Sequence, residues 1–535
     1  MGRVHSSPPS LSELNDSPNM TMLSVLDNQV AHNRSQPFIT CGDERTSFEE
    51  LASRADRVAT AWLQLGIGHG DRVAIASRNS VDWLVAYLAT VRIGAVLVTL
   101  SVMYREREFA YMLQQSKARL LICEADVDGF DFQTFLTDLR PQTPATEQLV
   151  FLGEDRPYAG LSWSEISSTT VDSGQVEAAF ARVRSTDPAV ILYTSGTTGK
   201  PKGATLTHRS LLAAAIGQVE RYGQNAADNL LGVMPFNHVG GMTCAFGSSL
   251  ISGGTLTLVP GFHPDVVATA IDQRDVTIFA GVPTMYSMLL SSDSFTEADT
   301  SRIRTCIVGG SNLEPTLARQ VRNAFPNARL SNLYGLSETS GASIISHPED
   351  DPATVDTTIG TAIGDVEIRI VDDSGSSVAH GTQGELQLRG TCVAAGYWDM
   401  PAETETTFHD DGWLATGDMG TLSDDGHVTI LGRKKEMYVR GGYNVYPAEI
   451  ENVLSTHPAV AMCAVIGYPD ATFGEKGCAF VVPAPGARID IEELTRLCEQ
   501  QLAAYKVPDR FQVTDSLPMT TAGKIKKAEL KSNSG

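Results

Sequence analysis

Tyr193-Thr-Ser-Gly-Thr-Thr-Gly-Lys-Pro-Lys-Gly203 crowds hydroxyls, three glycines and two lysines into eleven positions, directly after the apolar run Val190–Tyr193. Glycine lets backbone wrap closely around an anion, hydroxyl and N–H groups donate to phosphate oxygens, and lysine adds positive charge. The segment therefore reads as a polyphosphate cradle rather than a plain solvated loop. It is not a Walker A loop: Pro201 stands where that pattern needs its second glycine, and Lys200 is followed by proline instead of Ser or Thr. Outward from it, short β-branched runs recur at Val73–Ala76, Ala95–Thr99, Leu120–Cys123, Leu230–Met234, Thr255–Val259, Thr277–Ala280, Thr305–Val308 and Leu330–Leu333, separated by helix-length segments. That alternation predicts β-α-β crossovers and a large α/β body of mainly parallel sheets flanked by helices.

The texture changes after about Ile359, where Val366–Val371, Glu385–Arg389 and His427–Leu431 are separated by turn-rich pieces, predicting an antiparallel or β-barrel-like subdomain. A third unit follows Gly432, with a helix over Pro447–Ser455, strands at Ala461–Ile466 and Cys478–Val482, and a helix near Ile491–Leu502. The expected division is a flexible leader over 1–19, an N-terminal nucleotide- and acyl-binding domain over 20–432, and a small α+β C-terminal lid over 433–535.

Composition narrows the partners. Lys plus Arg number 41 against 63 Asp plus Glu, a formal charge of 41 − 63 = −22, which argues against nucleic acid or an anionic membrane surface as a partner. Eight cysteines stand singly without a CxxC pair, so neither zinc nor dithiol chemistry is indicated and a reduced, cytoplasmic chain is expected. Leu84–Leu100, broken by Arg92 and Gly94, reads as a buried helix and strand rather than a membrane span. Gly66-Ile-Gly68-His-Gly70 imitates a dinucleotide fingerprint but precedes its strand, so a turn is the better reading.

Four more segments complete a pattern: Tyr334-Gly-Leu-Ser-Glu-Thr339, Gly412-Trp-Leu-Ala-Thr-Gly-Asp418, the run from Gly432-Arg433 to Glu451, and Pro518-Met-Thr-Thr-Ala-Gly-Lys524. In order and spacing, these and the Tyr193–Gly203 loop resemble the ANL adenylate-forming superfamily across nearly the whole chain, and the FadD-type carboxylic-acid:CoA ligases within it. The resemblance implies ATP and Mg²⁺ dependence, with coenzyme A as co-substrate. It places Thr194, Ser195, Gly196, Thr197, Thr198, Gly199 and Lys202 around the phosphates. Tyr334 stacks on adenine in this reading, with Asn332 or the backbone around Leu333 reading the base edge and Gly335 beside it. Ser337 donates to the α-phosphate and Glu338, a hard oxygen ligand, takes the metal. Asp418 accepts from the ribose hydroxyls, and Arg433 contacts ribose or phosphate. Lys524 is the boldest assignment: joining a carboxylate to an α-phosphate needs a cation shared by both. Lys435 falls at the hinge about which the lid turns, and Gly442 at the tunnel that admits the thiol. Departures are Glu436, where Asp is commoner, and Val439, where some phenylpropanoid ligases carry Lys.

The acid pocket is expected around His238, Val239, Gly310, Ser311 and Gly335. Amino-acid-activating relatives place an Asp in the first of these segments to pair with the substrate ammonium group, and Phe236-Asn237-His238 contains none. An apolar fatty or ring-bearing acid is therefore the expected substrate of an AMP-forming acid:CoA ligase. A stand-alone enzyme loading an acyl carrier protein is the alternative within the same chemistry, and an inactive acyl-nucleotide binding protein is the alternative from another class. The intact Glu338, Asp418, Arg433 and Lys524 argue against the latter. The sequence does not choose the oligomeric state, a homodimer included.

Overall fold

A computed structural model describes residues 8–17, 19–153, 157–194, 200–519 and 525–532. Two large sheets organise the body. One runs in the order Lys202–Thr207, Pro188–Thr194, Val96–Leu100, Arg72–Ala76, Leu120–Glu124, Gln148–Leu152, Leu161–Ser162, and is parallel except for its first pair. The other has nine strands, parallel through Arg329–Leu336, Thr305–Gly309, Ile278–Gly281, Asn229–Gly232, Thr255–Leu258 and Pro37–Cys41, with antiparallel strands at both edges.

Period-two alternation assigns each strand residue to a face. Ile75 and Leu97 of the first sheet, and Leu230, Leu256, Ile278 and Ile307 of the second, join one core with helices Met22–Asn33, Phe48–Gln64, Val81–Arg92 and His208–Tyr222. Ala74, Ala76 and Val98 face the outer helices Glu106–Ser116 and Phe132–Leu139, whereas Leu231, Phe279, Cys306 and Val308 face Pro264–Gln273, Pro283–Leu290 and Pro315–Ala324. The result is five layers, helix, sheet, helix, sheet, helix. Each fully buried Leu or Ile contributes about 1.5–3 kcal/mol. A one-residue slip of a central strand would exchange its two faces between these cores, so the packing fixes register.

Two expectations need correction. The leader is not flexible throughout: Ser10 and Glu13 form a reciprocal capping box that starts helix Leu11–Asp16, and Leu14 docks fully buried into the central core. Met1–Ser7 lie outside the described residues. The barrel-like part is an open antiparallel sheet in the order Glu367–Val371, Gly384–Arg389, Leu414–Leu422, Val428–Arg433, whose outer strands do not pair with each other. It closes its apolar face by packing Ile370, Leu386, Leu388 and Val428 against Ile344 of the nine-stranded sheet.

The last strand of that sheet ends at Arg433, and a small α+β unit follows. Its sheet runs Tyr443–Val445, Tyr438–Arg440, Gly474–Pro483, Val460–Asp470, with Arg510–Val513 alongside the third. Helices Pro447–Ser455 and Ile491–Gln501 cover one face through Ile450, Leu454, Leu494 and Cys498. Among the described residues no helix is long and apolar enough to cross a membrane. All eight cysteines are unpaired thiols.

Candidate nucleotide and acyl site

In open α/β sheets ligands gather at the carboxyl ends of parallel strands, and here those ends bring the motifs together. Thr194 ends Pro188–Thr194, Gly281 and Gly309 end their strands, and Leu333–Gly335 lie near the end of Arg329–Leu336. The phosphate segment does not lead into a helix as a Walker loop does. The strands on its two sides pair antiparallel, Thr194 with Lys202, and the chain continues as strand Lys202–Thr207. Ser195, Gly196, Thr197, Thr198 and Gly199 lie outside the described residues. This pair of strand ends is tied down from several sides. Tyr111 Oη donates to Pro201 O at 2.9 Å, Tyr193 Oη to Gln115 Oε1 at 2.5 Å, and Trp398 N to Gly203 O at 2.7 Å.

Asp418 is almost fully buried and holds two partners. Tyr334 Oη donates to its Oδ2 at 2.6 Å, and Arg433 Nε forms an ion pair with its Oδ1 at 2.9 Å. Asp418 and Arg433 face each other in the antiparallel register of their strands, which is why two residues fifteen apart meet. Burial pushes the Tyr334 phenol well above its usual range, with Asp418 adding to the shift. Burial is the largest single effect and works against the Arg433 charge, but Asp418, Tyr334, Glu436 and Glu338 together outweigh it and hold the guanidinium above its usual value. A carboxylate offers about four acceptor positions, so two partners leave Asp418 capacity for a ligand's hydroxyls. The Asn332 Nδ2 donates to Val355 O at 2.6 Å and Thr358 O at 2.8 Å. With both N–H bonds committed to that loop, the side chain has its Oδ1 acceptor, and no donor, for a base edge. Gly335 is required sterically, because a Cβ there would lie 2.0 Å from Gly341 O.

Ser337 and Glu338 stand on a single helical turn, Ser337–Thr339, that begins where Arg329–Leu336 ends. Thr339 Oγ1 closes this turn, accepting from Leu336 N at 2.9 Å and donating to Gly341 O at 2.9 Å. Glu338 Oε1 accepts from Tyr397 Oη at 2.7 Å, and Glu338 O accepts from Ala394 N at 2.8 Å. Lys202 Nζ sits 4.8 Å from the centroid of the Tyr397 ring. Tyr397 was absent from the residues expected in the site. Its only sequence signal is the Gly396-Tyr397-Trp398 run, and nothing in the linear pattern relates it to Glu338, 59 positions earlier. Among the described residues no group of three or more His, Cys, Asp or Glu could hold a metal ion. One carboxylate beside a phosphate cradle suits a Mg²⁺ ion carried by a nucleotide, which keeps most of its shell as phosphate oxygens and water.

The expected acyl residues lie at neighbouring strand ends. His238 precedes the short helix Val239–Gly241, Val239 packs against the central core, and Gly310 and Ser311 are exposed just beyond Thr305–Gly309. Toward the C-terminal unit, Lys434 N donates to Gly417 O, and Lys434 Nζ pairs with Asp373 and Glu385. Lys435 is the first residue beyond this anchor. It is not remote from the site: burial and the neighbouring Arg433 lower its amine's pKa, Lys202 acts in the same direction, and Glu436 and Asp418 oppose. Gly442 sits at φ +86° between strands Tyr438–Arg440 and Tyr443–Val445, with open space where a Cβ would be. Lys524 lies outside the described residues; Met519 and Ile525 on either side of its segment form an antiparallel bridge.

The body and the C-terminal unit also touch through Asn312 Nδ2 and Asn452 Oδ1 at 3.3 Å, and through Ser455 Oγ, which donates to Glu314 Oε2. Burial pushes the Glu314 carboxyl up to about 7, with Ser455 opposing and Glu451 adding. A carboxyl raised above its unfolded value stabilises fully below that value, and the contribution is lost as pH rises through the folded one. Raising pH from 6 to 8 is therefore expected to speed amide exchange in helix Pro447–Ser455 beyond the intrinsic pH effect. Glu314→Gln should remove that pH dependence, and identical corrected exchange at both pH values in the unaltered protein would reject it.

The family model described as AMP-binding enzyme matches residues 26–398, and the one described as AMP-binding enzyme C-terminal domain matches 449–524. The chain belongs to the AMP-binding enzymes. The 3-[(3aS,4S,7aS)-7a-methyl-1,5-dioxo-octahydro-1H-inden-4-yl]propanoyl:CoA ligase of Rhodococcus jostii is 34% identical over 496 residues, covering 92% of this chain and 94% of that protein. The medium-chain acyl-CoA ligase ACSF2 of Bos taurus is 31% identical over 508 residues, covering 91% and 83%. Among solved structures, the anthranilate CoA ligase AuaEII in complex with anthranoyl-AMP superposes with a TM-score of 0.88 at 27% identity, covering 97% of this chain and 98% of that one. This AMP-binding enzyme is thus an acyl-CoA synthetase of the ANL superfamily, in the acid:thiol ligase class, and its mixed α/β architecture with a C-terminal domain is that of the superfamily.

Proposed function

We propose that this AMP-binding enzyme activates an apolar carboxylic acid in two steps, first as an acyl-adenylate with release of pyrophosphate, then as a CoA thioester with release of AMP. The observation that carries the reading is a pair of neighbouring groups: Asp418 holds Tyr334 and Arg433, Tyr397 holds Glu338 and Lys202, and Glu338 lies near enough to act electrostatically on Arg433. Asp418 takes the ribose hydroxyls, Tyr334 lies beside the base, and Ser337, Lys202 and the hydroxyl-rich segment 194–199 hold the phosphates. Glu338 holds Mg²⁺, which supplies charge neutralisation at the phosphates when bound. Lys524 bridges the carboxylate and α-phosphate as negative charge develops between them. For the second step the lid, proposed to begin at 433, turns about Lys435 and the thiol approaches past Gly442. Hinges are a few element-terminal residues that absorb backbone rotation, and Lys435, directly after the last anchored residue, suits that description.

For the acid, the absence of a carboxylate at Phe236-Asn237-His238 disfavours an amino acid, because a buried ammonium group without a partner is costly. Val239, Gly310 and Gly335, the residues proposed to line the acid's site, carry no charge. Relatives named for a ring-bearing propanoate and for medium-chain acids support an apolar acid of either kind. The test is AMP release with a panel of short, medium, long, aromatic and polycyclic acids, each with and without CoA. CoA-dependent AMP release with an apolar acid is the expected result. Release requiring a carrier protein with a free pantetheine thiol instead of CoA would move the chain to the carrier-loading alternative, and no nucleotide turnover with any acid would favour an inactive binding protein.

A further inference from the structure

Glu338 and Lys202 carry opposite charges on either side of Tyr397, yet no ion pair joins them. Both meet Tyr397 instead, the carboxylate on its hydroxyl at 2.7 Å and the ammonium over its ring at 4.8 Å. A direct pair would satisfy each charge with the other and leave less of both for a metal-bearing triphosphate. A phenol separates them without quenching either: its O–H orients a carboxylate by a single donated bond, and its ring face attracts a cation. The position of Tyr397 is itself over-determined. Residues 394–398 run beside strand Lys202–Thr207, with Thr205 N donating to Gly396 O at 2.8 Å, Ala395 N to Thr205 O at 2.9 Å and Trp398 N to Gly203 O at 2.7 Å. Tyr397 N donates to Thr404 Oγ1 at 2.9 Å, and the ring stacks edge-on against Phe408. Gly396, at φ +122°, admits Thr404 where a Cβ would come within 2.6 Å of its Cγ2. The ring is therefore held by backbone on the same strand that carries Lys202.

We infer that Tyr397 is a positioning residue for nucleotide activation, which orients the Glu338 carboxylate toward the metal and holds the Lys202 ammonium apart from it for the phosphates. The inference rests on the reading of Glu338 as the Mg²⁺ ligand. It predicts that the hydroxyl acts through the metal and the ring through the cation, so the two are separable.

Calorimetric titration of the full-length protein with ATP, once with Mg²⁺ and once with EDTA, measures both without turnover. Tyr397→Phe keeps the ring and should leave ATP affinity in EDTA unchanged while lowering the gain that Mg²⁺ confers by about 10-fold, the scale of one hydrogen bond to a charged group. Tyr397→Leu removes ring and hydroxyl, and should weaken ATP binding in EDTA as well, as Lys202 becomes free to pair with Glu338. Glu338→Gln should abolish most of the Mg²⁺ gain. A Tyr397→Phe protein that loses affinity equally with and without Mg²⁺ has lost packing only, and overturns the inference. So does an unchanged gain in Tyr397→Phe when Glu338→Gln has lost it. An unchanged gain in both removes the reading of Glu338, and the inference with it.

Discussion

Asp418→Asn is expected to weaken ATP binding by about 100-fold, the loss of one or two charge-assisted hydrogen bonds at about 1.5–3 kcal/mol each. The carboxylate is nearly inaccessible and already orients a phenol and a guanidinium. An amide of the same shape carries no charge for Arg433 and turns an N–H toward one of two donors. The same change removes one acceptor from the proposed ribose site. Because the Arg433 side chain keeps 41% of its surface exposed, water can replace part of what it loses. The fold should therefore survive, with the deficit concentrated in nucleotide affinity. Calorimetric titration with ATP reads this directly, and a dissociation constant within about threefold of the unaltered protein, a change under 1 kcal/mol, would reject Asp418 as a ligand of the nucleotide.

Lys524→Ala is expected to slow adenylate formation by about 10²–10³-fold, the scale of losing one preorganised group that meets charge developing in a transition state. Its effect should fall on one half-reaction. Acid-dependent exchange of pyrophosphate into ATP should collapse, while conversion of a supplied acyl-adenylate to thioester proceeds near its normal rate. Equal loss in both assays would mean that the substitution damages the lid as a whole. The neighbouring Lys526 and Lys527 serve as internal comparison. Lys527 is committed to Glu451 at 2.7 Å and Glu436 at 3.1 Å, and Lys526 pairs with Glu529 at 3.0 Å, so neither resembles a cation held ready for substrate.

The parallel strands were legible because each is a short β-branched run between turn signals, and their buried faces follow from alternation. Helix Pro447–Ser455 was legible to the residue, marked by proline at its first turn. The leader helix was overlooked although Ser10 and Glu13 carry the capping spacing, because a short helix flanked by serines and prolines shows little periodicity. What linear reading could not supply are meetings made by the fold: Tyr397 with Glu338, Glu314 with Ser455 across 141 positions, and the capture of the Asn332 amide by Val355 and Thr358. Such contacts depend on which strands pair and where their ends fall, and no local propensity encodes them.

The charge of −22 bears on the same site. ATP and CoA are strongly anionic, so the overall field of the protein opposes them and attraction must come from a few placed cations and backbone N–H groups. The proposed cations Lys202, Arg433 and Lys524 are each matched to a phosphate or carboxylate in the proposed reaction rather than to bulk charge.

The central claim, passage through an acyl-adenylate, is tested most directly by the fate of carboxylate oxygen. With an accepted acid labelled with oxygen-18 at both carboxylate positions, the account predicts AMP carrying one labelled oxygen and unlabelled pyrophosphate, because the carboxylate attacks the α-phosphorus and the thiol then expels AMP with the bridging atom. Unlabelled AMP, with label in pyrophosphate or inorganic phosphate, would contradict it.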